Sequence, residues 1–202
     1  MELISPNKVA QLLNVSRGTL EKFFTYEQLL KKWNSKINLV SASTLDDFWG
    51  RHILDSGQLI HHLPPHTRIL VDLGSGAGFP GMVLAIMGVQ EVHLIETDAK
   101  KCAFLENVSR ETLTDVIIHQ YRIENLKNIE ADVITARALA DVPTLLNYSK
   151  NFVKKDTVGL FLKGEQVESE LTAKSDSWQV VIEKIPSISS TTGSVLKVKW
   201  HE

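Results

Sequence analysis

The run Val71-Asp72-Leu73-Gly74-Ser75-Gly76-Ala77-Gly78-Phe79-Pro80-Gly81 constrains this chain more than any other segment. An apolar strand passes through alternating glycines into a helix that opens at Pro80. Glycines at such a turn let main-chain N–H groups approach a ligand that a Cβ would hold away. The segment therefore implies a sheet, a covering helix and a nucleotide-sized crevice where they meet.

Two ligand classes use a turn of this kind. Counted from Gly74, a dinucleotide fingerprint requires glycine where Phe79 stands. Counted from Gly76, glycines 76, 78 and 81 satisfy G-x-G-x-x-G, but that frame starts two residues further from the strand and puts its last glycine past Pro80. Asp72 at the strand end, followed at once by G-x-G-x-G, is the methyltransferase arrangement, in which the loop wraps the methionine part of S-adenosylmethionine. The methyl donor is the preferred ligand, with Asp72, Gly74, Gly76 and Gly78 in its site.

The rest of the chain supplies a matching framework. Strands at 68–73, 91–96, 115–120, 132–136 and 158–163 alternate with helices at 80–88, 98–113, from about Val142 and from about Gln166, which predicts a parallel sheet. Trp178 to Ile185 and Ser194 to Trp200 are strand-like runs joined by a Ser/Thr/Gly loop, a link short enough to force an antiparallel pair. The expected fold class is α/β, a seven-stranded Rossmann-like sheet of the class I S-adenosylmethionine-dependent methyltransferases with a C-terminal antiparallel hairpin. A nicotinamide-dependent oxidoreductase does not predict that hairpin.

Residues 1 to about 63 read as helical, with Ser16 as an N-cap and Leu20, Phe23, Phe24, Leu29, Leu30 and Trp33 at helical spacing. A second helix is expected from Asp46 to about His62, before Pro64-Pro65 breaks the chain. The expected organisation is an N-terminal helical extension over 1–65 and one compact methyltransferase domain over 66–202. At 202 residues a second full domain is not expected. A formal net charge of -2 gives no global argument for nucleic acid, so an RNA partner has to be argued locally.

Cys102 is the single cysteine, which excludes an intramolecular disulfide and reads as core filling. His61, His62 and His66 flank the proline break and are not read as a metal site; no metal is expected. No apolar run approaches the roughly 18 to 20 residues of a membrane span. The start Met1-Glu2-Leu3-Ile4-Ser5-Pro6 lacks the parts of a secretory signal, and a cytoplasmic location is expected.

Ligands of open α/β sheets sit beyond the carboxyl ends of the strands, which singles out a few residues. Glu96 is placed either to accept the ribose hydroxyls of an adenosyl ligand or simply to sit at a helix N-terminus. Asp98, ahead of Lys100 and Lys101, is better explained as a cap. Arg122-Ile123-Glu124 follows the third strand, where main-chain groups would cradle adenine. Arg137 closes the fourth strand, near the reactive end of a donor or in a structural ion pair. Lys163 closes the fifth, to meet a phosphate or to snorkel to water. Arg51 and Asp55 are four apart on a helix, as are His52 and Ser56, and spacing alone makes this an exposed ion pair with a polar histidine beside it. The acceptor stays open at this level: a small-molecule methyltransferase and a noncatalytic donor-binding protein both fit.

K-W-N-x-x-x-N-L at 32–39, R-H-I-x-D-S at 51–56, D-L-G-S-G-A-G-F-P-G, R-x-E at 122–124, R-A at 137–138 and L-K-G at 162–164 come in an order and spacing that resembles the glucose-inhibited division protein B family. These are bacterial methyltransferases acting on guanine N7 of 16S ribosomal RNA, and the resemblance covers nearly the whole chain. It implies that Gly74, Phe79, Ile123, Glu124 and Arg137 contact S-adenosylmethionine. It also implies that Arg51, His52 and Asp55, with Asn38, Lys163 and Arg137, position the substrate, which replaces the exposed ion-pair reading. Ile123 departs from the family, where this position is often small. The implied acceptor, guanine N7, has an in-plane lone pair and no proton, so no general base is expected. Asp55 is expected to accept from N1–H and the exocyclic amine, and Phe79 or Trp49 to stack on a base held in an RNA loop. A near-neutral protein would bind naked RNA weakly, so the expected partner is 16S ribosomal RNA within a small ribosomal subunit or an assembly intermediate.

Overall fold

Leu70, Val71, Asp72 and Leu73 are all buried, and a strand so covered on both faces belongs inside a parallel sheet. The computed structural model describes residues 3–172 and 179–201. Its strands are β1 (Ile69–Leu73), β2 (Glu91–Ile95), β3 (Ile117–His119), β4 (Ala131–Arg137), β5 (Val153–Lys163), β6 (Val180–Pro186) and β7 (Ser194–Trp200). They form one sheet in the order β3-β2-β1-β4-β5-β7-β6, in which β7 runs antiparallel to both β5 and β6. This is the expected seven-stranded sheet with its C-terminal hairpin. Trp178, expected to begin the sixth strand, lies outside the described residues.

The helices are α1 (Pro6–Leu13), α2 (Arg17–Asn34), α3 (Ala42–Leu45), α4 (Asp55–Gly57), α5 (Gly81–Ile86), α6 (Ala99–Thr112), α7 (Val142–Ser149) and α8 (Val167–Thr172). Ser16 caps α2 as expected, its hydroxyl accepting the Thr19 N–H at 3.1 Å. Phe23, Tyr26 and Leu30 of α2 are fully buried in one cluster with Phe79, Leu94 and Phe104. Each such side chain contributes about 1.5–3 kcal/mol by leaving water. The proline break at 64–65 thus interrupts a helix but not the core.

Two expectations on secondary structure are corrected. The single helix from Asp46 to His62 is instead a π-helix over Phe48–Leu54, then α4, then a 3-10 turn over Gln58–His62. Asp47 caps it by accepting the Gly50 N–H, and the Asp55 N–H donates to the Gly50 carbonyl five residues back. That wider turn separates Arg51 from Asp55, which a four-residue repeat would have paired. Strand β5 also starts five residues earlier than the 158 expected, at Val153. Its first turn, Lys154-Lys155-Asp156, is polar and hides the strand pattern, while Lys154 pairs with Asp132 of β4 at 2.6 Å. No helix among the described residues is long and apolar enough to cross a membrane.

Candidate active site

Chain connections leave β1 toward β2 on one side and β4 on the other, so the crevice opens at the carboxyl ends of these three strands. Gly74 holds a φ of +62°, and a Cβ there would stand 2.6 Å from the Leu139 side chain. Glu96 ends β2 and is buried. Its Oε2 accepts the Gly76 N–H at 2.9 Å, and its Oε1 accepts the Thr97 and Asp98 N–H groups at 2.7 and 2.9 Å. These donors offset the burial of a carboxylate and pin the glycine loop, while Oε2 keeps a lone pair for a ligand hydroxyl. A cleft of about 480 Å³ results, lined by Gly74, Gly76, Phe79, Glu96, Ile123 and Glu124 among others. That volume is in the range of cofactor sites. Asp98 is the N-cap of α6, accepting the Lys100 and Lys101 N–H groups.

Asp72 and Gly78 lie beneath this cleft rather than on its lining, which corrects their expected role as contacts. Asp72 is fully buried; its Oδ1 accepts the Thr135 hydroxyl at 2.7 Å and its Oδ2 has no hydrogen-bond partner. Burial pushes its carboxyl up to about 6, with the Thr135 hydrogen bond the largest opposing influence. Gly78 has φ +92°, and a Cβ there would stand 2.5 Å from the Tyr26 hydroxyl. That hydroxyl donates to the Ala77 carbonyl and ties α2 to the loop.

Beyond β4 the structure brings together the residues of the R-H-I-x-D-S segment. The Arg137 Nη1 donates to the Arg51 carbonyl at 2.8 Å and to Asp55 Oδ2 at 3.3 Å, and Nη2 donates to His52 Nδ1 at 3.0 Å. Its Cζ stands 4.8 Å from the Phe79 ring centroid. His52 is buried and stacks on Phe79 at 4.5 Å. Burial, then Arg137 and Arg51, drive its pKa down to about 3, so the imidazole is neutral. With Nδ1 accepting, the assigned tautomer carries hydrogen on Nε2, which has no partner in hydrogen-bonding geometry. Asp55 Oδ1 accepts from the Ser189 hydroxyl at 2.6 Å and from Gln58 Nε2 at 3.3 Å. Gln58 is fully buried, and its Oε1 accepts the Ile188 N–H at 2.9 Å, fastening the β6–β7 loop to the helical segment.

A second cleft of about 670 Å³ is lined by Arg51, His52, Asp55, Lys163, Ser190 and Thr192 among others. The two clefts share Val40, Arg137 and Ala138. Ala138 has φ 52°, a left-handed turn at that common wall that a non-glycine residue adopts at a cost of about 1–2 kcal/mol.

Several expected site residues are placed differently. Asn38 is exposed and lines neither cleft. Its neighbour Asn34 does the local work, its Oδ1 accepting the Leu39 and Val40 N–H groups at 2.9 and 3.0 Å. Lys163 neither snorkels nor stands free for a phosphate: its amine pairs with Glu170 and donates to the Ala140 carbonyl at 2.8 Å. Arg51 contributes its carbonyl to Arg137, and its side chain is exposed at the second cleft. Asp55 Oδ1 holds two protein donors and Oδ2 one, so Asp55 orients Arg137 and the hairpin loop while Oδ2 keeps a lone pair for the expected guanine edge. Phe79 and Trp49 are 4% and 7% exposed. The first stacks on Tyr26 and His52 and the second packs on Phe24 and Phe48, so neither presents a ring to a base. The roles of Gln58 and Ser189 have no local sequence signal.

Buried His52 and Asp72 oppose each other with pH. Between about 3 and 6.5 the unfolded chain holds the extra proton on His52, so stability falls as pH drops through that window. Between 3.8 and about 6 the folded protein holds the extra proton on Asp72, so stability falls as pH rises. In urea titrations from pH 4 to 6, Asp72→Asn is expected to lose stability toward acid more steeply than the parent, and His52→Asn less steeply. Identical slopes in all three proteins would refute the assigned ionisation states.

A family model described as rRNA small subunit methyltransferase G (GidB) matches residues 19–195. The chain is 50% identical over 184 residues to the ribosomal RNA small subunit methyltransferase G of Rhodospirillum centenum, covering 91% of this chain and 85% of that protein. It is 46% identical over 195 residues to that of Rhodospirillum rubrum, covering 96% and 97%. Among solved structures, the ribosomal protein L11 methylase of Lactobacillus delbrueckii subsp. bulgaricus superposes with a TM-score of 0.58 at 14% identity, over 73% of this chain and 77% of that one. The glycopeptide N-methyltransferase MtfA, complexed with S-adenosylmethionine, gives 0.59 at 9% identity, over 74% and 94%. At these identities the structural likeness carries the fold alone.

Proposed function

The chain belongs to the rRNA small subunit methyltransferase G family, and on that premise we propose that it moves the methyl group of S-adenosylmethionine to N7 of one guanine in 16S ribosomal RNA. The observation that carries this reading is the pair of clefts with a common wall at Val40, Arg137 and Ala138. One cleft has the glycine loop and buried carboxylate that suit an adenosyl donor; the other is open and polar.

S-adenosylmethionine supplies an activated methyl group when bound. The Gly74–Gly76 main chain would hold its methionine part, Glu96 its ribose, and the Ile123–Glu124 main chain its adenine. Guanine N7 has no proton to lose, so the chain needs no general base. A neutral His52 whose Nδ1 is engaged by Arg137 fits that requirement. What remains is positioning, keeping N7 in line with the methyl carbon and water away. Three of the five guanidinium N–H donors of Arg137 are engaged inside the protein, which leaves Nε–H and one Nη2–H for the substrate. N7 has to stay free, so these donors serve O6 or a phosphate. The near-neutral charge favours an acceptor presented within a small subunit or an assembly intermediate, in the cytoplasm.

Glu96→Gln is expected to weaken donor binding by roughly 10- to 100-fold, as loss of a charged hydrogen bond does, with kcat at saturating donor little changed. Isothermal titration calorimetry checks it, and unchanged affinity would remove Glu96 from the donor site. The function itself is tested by incubating the protein with methyl-labelled S-adenosylmethionine and small-subunit rRNA, naked and in subunits. Label is then mapped by cleavage chemistry selective for N7-methylguanine. Label at a single guanine supports the proposal; donor binding without label on either form would overturn it.

A further inference from the structure

A third cleft, of about 500 Å³, lies between α2 and α6, lined by Leu29, Lys32, Trp33, Lys36, Asn107, Arg110 and Glu111. Its floor is fixed: the Trp33 indole N–H donates to Asn107 Oδ1 at 3.0 Å, and the ring meets Phe104 edge-on at 5.7 Å. Three cations face one acid, and Glu111 is already held by the Arg110 Nε at 3.2 Å.

The lysines here lack the acidic partner that Arg17 and Lys31 of α2 hold. Arg17 pairs with Glu21 and Lys31 with Glu27, each one turn away. Lys32 has Gln28 one turn before it, Lys36 lies in the turn just past the end of α2, and among the described residues neither lysine pairs with an acid. Helix dipoles favour Lys32 in the last turn of α2 and Arg110 in the last turn of α6, and the convergence of these two helix ends with Lys36 leaves three cations against one acid in a single groove. An uncompensated positive concavity of this kind favours an anion. It is also coupled to the active site through the chain, since Asn34, between Lys32 and Lys36, holds Leu39 and Val40 at the donor cleft.

We infer that the α2–α6 groove binds a phosphodiester segment of the substrate RNA, with Lys32 and Lys36 as phosphate contacts and Arg110 beside them. This rests on the rRNA methyltransferase reading and gives it a second point of attachment outside the catalytic clefts. Phosphate contacts set register and orientation without reading sequence, so the groove aligns the RNA while the second cleft selects the base.

The test compares the parent protein with Lys32→Gln/Lys36→Gln and Lys32→Arg/Lys36→Arg, measuring methylation of 16S rRNA, both protein-free and in small subunits, across a salt series. The glutamine pair is expected to raise KM for RNA by about tenfold or more near 0.1 M salt and to lower the slope of log affinity against log salt by about 1.5. Donor affinity and kcat should stay at parent values, and the arginine pair should restore KM. Unchanged KM and salt slope, an equal fall in donor affinity, or failure of arginine to restore binding would each overturn the inference. A defect confined to assembled subunits would assign the groove to an acidic ribosomal protein and also overturn it. If the parent protein methylates no rRNA at all, the proposed function fails instead.

Discussion

Replacing Arg137 with glutamine is expected to lower kcat for RNA methylation by roughly 10²- to 10³-fold, since a misplacement of about 1 Å in a positioning site costs on the order of 10²-fold. The guanidinium joins the Arg51 carbonyl, His52 and Asp55 across the wall between the two clefts. Its loss removes the guanidinium donors from the Arg51 carbonyl, His52 Nδ1 and Asp55 Oδ2 and lets the wall relax. An unpaired buried carboxylate costs about 3–5 kcal/mol, and the partial exposure of Asp55, at 21%, reduces that figure. Arg137→Lys separates charge from geometry. An ammonium can neutralise Asp55 but cannot span three acceptors in one plane, so thermal stability should largely return while kcat stays low. Single-turnover methylation with donor saturating makes the comparison. A lysine variant with parent kcat would show that charge alone is required.

Gly78→Ala is expected to be the most destabilising single methyl group in the molecule. Its φ of +92° disfavours any side chain, by about 1–2 kcal/mol. The new Cβ would also meet the Tyr26 hydroxyl at 2.5 Å and Leu105 and Met82 at 2.9 Å, an overpacking worth about 1–3 kcal/mol. Together these predict a fall in Tm of roughly 4–20 °C for a chain of this size. Gly76→Ala is the control: φ is also positive, at +56°, but its nearest neighbour is 3.9 Å away. Only the backbone penalty applies there. Calorimetric melting of the two variants decides it, and equal losses would mean that the packing of α2 onto the loop contributes nothing.

Features carried by neighbouring residues were readable before any coordinates. The glycine turn, the strand and helix alternation, the short hairpin link, the caps at Ser16 and Asp98 and the position of Glu96 all follow from local spacing. What escaped was settled by partners distant in the chain. Lys163 looked free because Glu170 belongs to the following helix. The hold on Asp55 is hidden from the sequence because Ser189, 134 residues away, gives no sign that it will donate to it. Asp72 looked like a ligand contact because its motif marks the strand end, whereas only the packed sheet reveals that it is sealed beneath the loop. The π-helix was missed for another reason: a five-residue repeat lasting seven residues is too brief to stand out from a four-residue one.

The fastening of the β6–β7 loop to Gln58 and Asp55 sets an order in time. Every residue lining the donor cleft lies between 39 and 148, whereas the neighbouring cleft borrows Ser190, Thr192 and Gly193 from the last strand connection. On the proposed assignment, all the groups that would hold the donor emerge during synthesis well before the loop that closes the acceptor side. A product that stops after β5 carries the full set of donor contacts and lacks the far wall against which a base would be held. The final hairpin is thus the last piece of the second cleft to be made, and its bonds to Gln58 and Asp55 join early and late parts of the polypeptide beside the wall that the two clefts share.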